Sequence, residues 1–135
     1  MIIFDLDDTL RTTDQSSHLI PADPSRTENW LAWQDHVVNN GVGIEEGIRL
    51  YLMYKYGLVT IILTSSQFGT QQWLEMNELP LPDQIFERHP NDHSTPFEFK
   101  KRFIDENHGN ITLWIDDHTE VCDYAESRGI TVIRV

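Results

Sequence analysis

A three-layer, Rossmann-like α/β fold with about five parallel strands and a small insert is what this sequence predicts, and two observations predict it. Short apolar, β-prone segments alternate with stretches of helical periodicity along the chain. Three of those apolar segments stop at polar or acidic residues: Asp5-Leu6-Asp7, Thr64-Ser65 and Asp116-Asp117. Strands that alternate with helices form parallel sheets through right-handed crossovers, and such sheets bind ligands beyond the carboxyl ends of their strands. The three polar ends are therefore expected at one edge. With 135 residues the chain is expected to be one domain. Residues from about 11 to 43 are expected to form a small cap-like insert rather than a domain.

Met1 to Leu6 reads as a buried strand that ends in the acids Asp5 to Asp8. Thr12 to Thr27 is rich in Ser, Thr, Asp and Pro and reads as a loop. Trp30, Trp33 and Val37 recur at helical spacing within Glu28 to Asn39, with Thr27 as the expected N-cap and Asn39-Asn40-Gly41 as the stop. Ile44, Ile48, Tyr51, Leu52 and Lys55 mark a helix over Ile44 to Tyr56, ending before Gly57. Leu58 to Leu63 is a second apolar strand. Thr70 to Asn77 reads as a short helix stopped by Leu79-Pro80-Leu81-Pro82, and Gln84 to Glu87 as a short strand. Pro96 to Asn107 is a helix with proline in its first turn, where the missing N–H costs little. Ile111 to Ile115 is a buried strand, Thr119 to Arg128 a helix stopped by Gly129, and Ile130 to Val135 the last strand.

Composition narrows the function. Apolar residues make up 39% and aromatics 10%, enough for a packed core and against a disordered chain. No apolar run approaches the ~20 residues that cross a bilayer, so no membrane partner is expected. The N-terminus turns acidic at Asp5, too soon for a secretory signal, and the single cysteine permits no internal disulfide. Both fit a cytoplasmic protein. Cys122 lies among apolar residues on an expected helix and reads as a buried, inert thiol. Twenty-two acidic residues against ten basic ones give a net charge of -12. That balance opposes tight binding to duplex nucleic acid but allows recognition of one terminal phosphate.

The strand ends carry the chemistry. Asp5 and Asp7 are two residues apart, which in extended chain puts them on one face. Two carboxylates held close repel unless a cation neutralises them. Asp116 adds a third, and hard oxygens in such a cluster suit Mg²⁺, which takes a few carboxylates together with substrate phosphate. A carboxylate can attack phosphorus and form an aspartyl-phosphate. Thr64 can donate a hydroxyl to a phosphate oxygen, Lys100 can supply a point charge, and Asp7 can serve as acid and base. Lys100 stands beside Lys101 and Arg102, so a solvated basic helix face is the competing reading.

With these residues in hand, the sequence resembles the haloacid dehalogenase (HAD) superfamily of phosphatases. Asp5-Leu6-Asp7-Asp8-Thr9-Leu10 is similar to its first motif, Ile61-Ile62-Leu63-Thr64 to the second, Lys100 to the third and Trp114-Ile115-Asp116-Asp117 to the fourth, in the family's order. The resemblance implies Asp5 as nucleophile, Asp7 as acid/base and Thr64, Ser65 and Lys100 on phosphate. It implies Mg²⁺ held by Asp5, Asp7 (through its backbone carbonyl) and Asp116, with Asp117 behind them or as an alternative ligand. A narrower resemblance is to the 3′-phosphatase domain of phage polynucleotide kinases, through Phe86-Glu87-Arg88, Asp92, Phe97-Glu98-Phe99-Lys100 and Ile115 to Val121. His18-Leu19-Ile20 and the Trp30 helix are similar to the insert of that group. Ser65-Ser66-Gln67 stands where those relatives place Gly-Arg, and no Gly-x-x-x-x-Gly-Lys-Ser/Thr motif of a kinase module is present.

The expected substrate is thus a nucleotide or polynucleotide 3′-end phosphate. The alternatives are another small phosphometabolite, or a phosphate- or metal-binding module without turnover. Thr9 and Arg88 are candidate substrate contacts, with a surface ion pair the equal alternative for Arg88. Trp30 and Trp33 either stack on a base or pack the insert against the core. His89, His93 and His118 lack partners at metal-ligand spacing and read as ordinary polar residues.

Overall fold

A computed structural model describes residues 1–135. Five strands form one wholly parallel sheet in the order β3-β2-β1-β4-β5. They are β1 (Ile2–Phe4), β2 (Thr60–Thr64), β3 (Gln84–Glu87), β4 (Leu113–Asp116) and β5 (Thr131–Arg134). The α-helices are α1 (Leu31–Asn40), α2 (Glu45–Lys55), α3 (Thr70–Met76), α4 (Pro96–Asn107) and α5 (Thr119–Ser127). No helix is long and apolar enough to cross a membrane.

The period-two alternation of β1 explains the three layers. Ile2 and Phe4 pack with Tyr51 of α2 and Trp73 and Leu74 of α3 on one face. Ile3 packs with Ile104 of α4 and Val121 and Ala125 of α5 on the other. Because β1, β2 and β4 are covered on both faces, nearly every residue in them is buried and apolar until the carboxyl end.

Local signals set the ends of the elements. Thr95 and Glu98 form a reciprocal capping box at the start of α4, with Pro96 in its first turn. The His118 ring caps α5 by accepting from the Val121 N–H. Glu45 and Glu46 open α2 and Lys55 closes it, each matching the helix dipole. Gly47 of α2 sits against the loop after β1, where a Cβ would lie 1.9 Å from the Thr9 carbonyl oxygen.

Two expectations need correction. The 12–27 segment is not all loop: Asp14–Leu19 forms a 3₁₀-helix, in which buried Ser16 bonds the His36 ring. Thr27 is not an N-cap either. It begins a 3₁₀-turn, Thr27–Trp30, that leads into α1, and its hydroxyl donates instead to the Pro90 carbonyl. Thr27 lies inside the turn, whose N-cap is Arg26, and the N-cap of α1 is Trp30.

Candidate active site

The strand order changes direction at β1, so the crevice beyond β1 and β4 is where a doubly wound sheet opens for ligand. Asp5 follows β1 directly, its N–H donating to the Ile115 carbonyl at 2.9 Å. Asp116 is the last residue of β4. Both are buried, and Asp117 beside them is exposed. The chain then turns at Asp8 in the left-handed region (φ 63), and the Asp8 carboxylate is tied to the Thr13 hydroxyl and N–H. Aspartate tolerates that conformation better than most residues.

Lys100 joins the two strands from above. Its Nζ donates to Asp5 Oδ1 at 2.6 Å and to Asp116 Oδ2 at 2.8 Å. Of the three consecutive basic residues on α4 it alone turns inward. Lys101 meets Asp105 and Arg102 meets Asp92, both at the surface. Lys100 lies four residues before buried Ile104, so it shares that helix's inner stripe.

Asp116 is locked in place by further donors, the Trp114 indole N–H at 3.1 Å and the His118 N–H at 2.9 Å. Thr9 is fully buried, with its hydroxyl 2.9 Å from Asp5 Oδ2 and 3.2 Å from Asp117 Oδ1. One hydroxyl hydrogen serves one of these at a time. Thr9, a candidate substrate contact, is thus placed beneath the carboxylates.

Carboxylate oxygens of Asp5, Asp116 and Asp117 all lie within 4.8 Å of one another. Burial, and then the charge of Asp116, pushes the Asp5 carboxyl well above the usual carboxylate range, while Lys100 works the other way. Burial also opposes the charge on Lys100, but Asp5 and Asp116 outweigh it and hold the ammonium protonated. One ammonium against three acids leaves negative charge in excess. The donor set is all oxygen, and Asp117 leaves one side open to solvent. These residues can hold a hard divalent cation such as Mg²⁺. The Cys122 thiol behind Asp116 belongs to no such set: burial, and then the Asp116 charge, pushes it up to about 11.

Asp7 faces a neighbouring cavity of about 640 Å³. Arg11 Nε donates to its Oδ1 at 2.6 Å and the Ser66 hydroxyl to its Oδ2 at 2.9 Å. Thr64 ends β2 beside β1, and its Oγ1 accepts from the Ser66 N–H at 3.1 Å, leaving its own hydroxyl hydrogen free to donate. Ser65 lines the cavity.

The opposite wall comes from the insert and the β3 loop. Trp30 and Trp33 pack edge to face at 5.2 Å, and both line the cavity. Arg88 lines it too, with its guanidinium over the Phe99 ring and Nη1 donating to the Ser94 carbonyl. Arg88 therefore makes no surface ion pair, and its Nε has no partner. Thr27 fastens the insert to the sheet on two sides: its hydroxyl reaches Pro90, and its carbonyl accepts from Gln67 Nε2 at 2.7 Å. Sequence reasoning gave no role to Arg11, Ser66 or Gln67. No local periodicity marks Arg11, because residues 7–11 form a turn rather than a helix.

No family model and no curated protein matches the chain. Solved structures do. A chain of the Pnkp1/Rnl/Hen1 RNA repair complex matches over 99% of this chain with 20% identity and a TM-score of 0.71. The match covers 44% of that chain in one structure and 41% in the other, so the present chain spans less than half the length of this relative. The HAD family enzyme bt-2542 of Bacteroides thetaiotaomicron, solved with magnesium and inorganic phosphate, matches over 98% of this chain and 92% of its own. Its identity is 12% and its TM-score 0.64. At such identities the likeness is one of fold, and the fold is the HAD-like one that the motif order implies.

Proposed function

We propose that this protein is a magnesium-dependent phosphomonoester hydrolase that forms an aspartyl-phosphate on Asp5, with nucleotide or polynucleotide 3′-end phosphates as its substrates. One observation carries the reading. Asp5, Asp116, Asp117 and Lys100 meet at a single strand edge, beside a cavity onto which Asp7 faces.

Thr9 and Lys100 fix the two oxygens of Asp5, so the carboxylate is oriented before substrate arrives. An Asp5 oxygen attacks phosphorus while the bond to the leaving oxygen breaks. Asp7 gives that oxygen a proton, then takes one from the water that hydrolyses the acyl phosphate. Thr64 and Ser65 offer hydroxyls, and Lys100 a charge, to the equatorial oxygens. A bound Mg²⁺ supplies the positive charge that lets an anionic phosphate approach three carboxylates.

The leaving group lies on the Asp7 side. A cavity of about 640 Å³ has room for a nucleoside, Trp30 and Trp33 offer aromatic surface for a base, and Arg88 offers a cation. The net charge of -12 favours a short substrate or a chain end over a long duplex. The likeness to a chain of an RNA repair complex points the same way. A reducing, cytoplasmic setting suits the single buried thiol.

Phosphate release by the purified protein from 3′-phosphorylated oligonucleotides, 5′-mononucleotides and sugar phosphates, with and without Mg²⁺, tests the proposal. Preference for the first, dependent on Mg²⁺ and absent in Asp5→Asn, is expected. Preference for sugar phosphates would move the substrate to small phosphometabolites. Wild-type turnover by Asp5→Asn would overturn the nucleophile.

A further inference from the structure

Arg11 is completely buried, and nothing in the reaction above employs it. A guanidinium taken out of water is costly unless it is paired and hydrogen-bonded. Its partner here is Asp7, at 2.6 Å. Arg11 Nη2 also lies 3.5 Å from Ser66 Oγ, and Ser66 donates to the other oxygen of Asp7. Asp7 is therefore gripped at both oxygens from two separate segments, by side chains that are themselves 0% and 2% exposed.

The insert closes over this arrangement. The Arg11 guanidinium lies 5.7 Å from the centre of the Trp73 ring, and the Trp73 indole N–H donates to the Gly41 carbonyl at 2.9 Å. The Arg11 backbone bridges Asp7 on one side and Gly43 on the other. Sealed in this way, Arg11 cannot reach a ligand as a surface cation would. Its Nη1 has no partner, so the contacts to Asp7 and Ser66 are the side-chain hydrogen bonds that hold the guanidinium.

We infer that Arg11 and Ser66 are positioning residues for Asp7, holding its carboxyl at the angle from which it passes a proton to the leaving oxygen. The inference rests on the phosphomonoesterase reading of the site. In the first step an Asp5 oxygen bonds to phosphorus. The phosphorus–oxygen bond to the leaving group breaks with its electron pair on that oxygen, and the proton of Asp7 moves to the same oxygen. In the second step a water oxygen bonds to phosphorus, one water proton goes to Asp7, and the acyl-phosphate bond breaks to restore the Asp5 carboxylate. Arg11 and Ser66 keep their protons throughout, and Arg11, fully buried and off the cavity wall, touches neither phosphate nor leaving group. An alkoxide needs the proton in order to depart, whereas an activated aryl oxide departs without it. Loss of aim on Asp7 must therefore fall selectively on alkyl phosphates.

The test compares kcat/KM for a 3′-phosphorylated nucleoside and for dinitrophenyl phosphate, because kcat/KM reports the steps up to departure of the leaving group. Arg11→Met and Ser66→Ala are expected to lower the nucleoside value about 10-fold to 100-fold and the aryl value less than about 3-fold. Arg11→Lys should recover part of the alkyl loss. Equal losses on both substrates, or none on either, would overturn the inference. A wild-type protein inert toward every phosphomonoester would instead sink the underlying reading, and the inference with it. Melting temperatures of Arg11→Met, Asp7→Asn and the double variant give a readout independent of turnover. The double variant should melt higher than the sum of the two single losses, and strict additivity would dissolve the pairing. Should Arg11→Met not fold, Ser66→Ala and Arg11→Lys decide the question.

Discussion

Lys100 Nζ lies 2.6 Å from Asp5 Oδ1, a buried contact between residues 95 positions apart in the chain. The same ammonium reaches Asp116, so one side chain from α4 ties together the ends of β1 and β4. It places positive charge where burial and mutual repulsion would otherwise favour protonated acids.

Lys100→Met removes that charge and leaves two buried carboxylates facing each other. Breaking a buried pair from one side costs about 3–5 kcal/mol of stability, and turnover should drop about a hundredfold or more. Lys100→Arg keeps the charge but not the compact geometry, so it should recover stability before it recovers rate. Denaturant titration alongside kcat separates the two. Full activity in Lys100→Met would remove the lysine from the site.

Mg²⁺ should stabilise the folded protein, because a cation that binds only the native acidic cluster shifts the folding equilibrium. At a hundredfold excess over Kd the gain is about 2.7 kcal/mol, or roughly 5–10 °C in melting temperature for a domain of this size. EDTA should reverse the shift, and Asp116→Asn should abolish it. Thermal melts with added Mg²⁺ provide the check.

Gly47→Ala should be disruptive out of proportion to one methyl group. The new carbon would meet the Thr9 backbone carbonyl at 1.9 Å, so α2 or the loop after β1 must move. Overpacking of this kind costs about 1–3 kcal/mol. Because Thr9 bonds Asp5, turnover should fall along with stability. Gly57→Ala, with open space around the added carbon, serves as the matched control and should change neither.

Asp83 should make stability sensitive to acid at a point remote from the site. Its carboxylate accepts from the Thr60 N–H at 2.8 Å at the start of β2, which holds it below the usual carboxylate range. A depressed folded-state value means the contribution is complete above the unfolded value of 3.8 and is lost as pH falls through the folded one. The difference in denaturation midpoint between wild type and Asp83→Ala should therefore be present at neutral pH and shrink in strong acid. A gap that stays constant across that window would disprove the linkage.

What the sequence revealed and what it hid follow from how each signal is encoded. Buried parallel strands are continuous apolar runs, so Ile61-Ile62-Leu63 and Trp114-Ile115 announced themselves, as did the acids that end β1 and β4. Lys100 was ambiguous beside Lys101 and Arg102, because charge alone does not say which way a helix faces. Its spacing to Ile104 was the clue, and family resemblance made the choice. The 12–27 segment looked featureless because its order comes from tertiary bonds, such as Ser16 to His36 and Thr27 to Pro90, rather than from local periodicity. Arg11 and Ser66 escaped notice for a related reason. Nothing local marks an arginine as buried when the groups that cover it, Trp73 and Gly41, lie thirty or more residues away.

The hold that Thr27 keeps on both the Gln67 and Pro90 loops has a wider meaning. On the proposed reading, the sheet edge would set which bond breaks, and residues 11–43 would set how bulky a guest is admitted. A lineage could exchange its preferred guest by rewriting residues between Arg11 and Gly43, leaving the acids and their lysine as they stand.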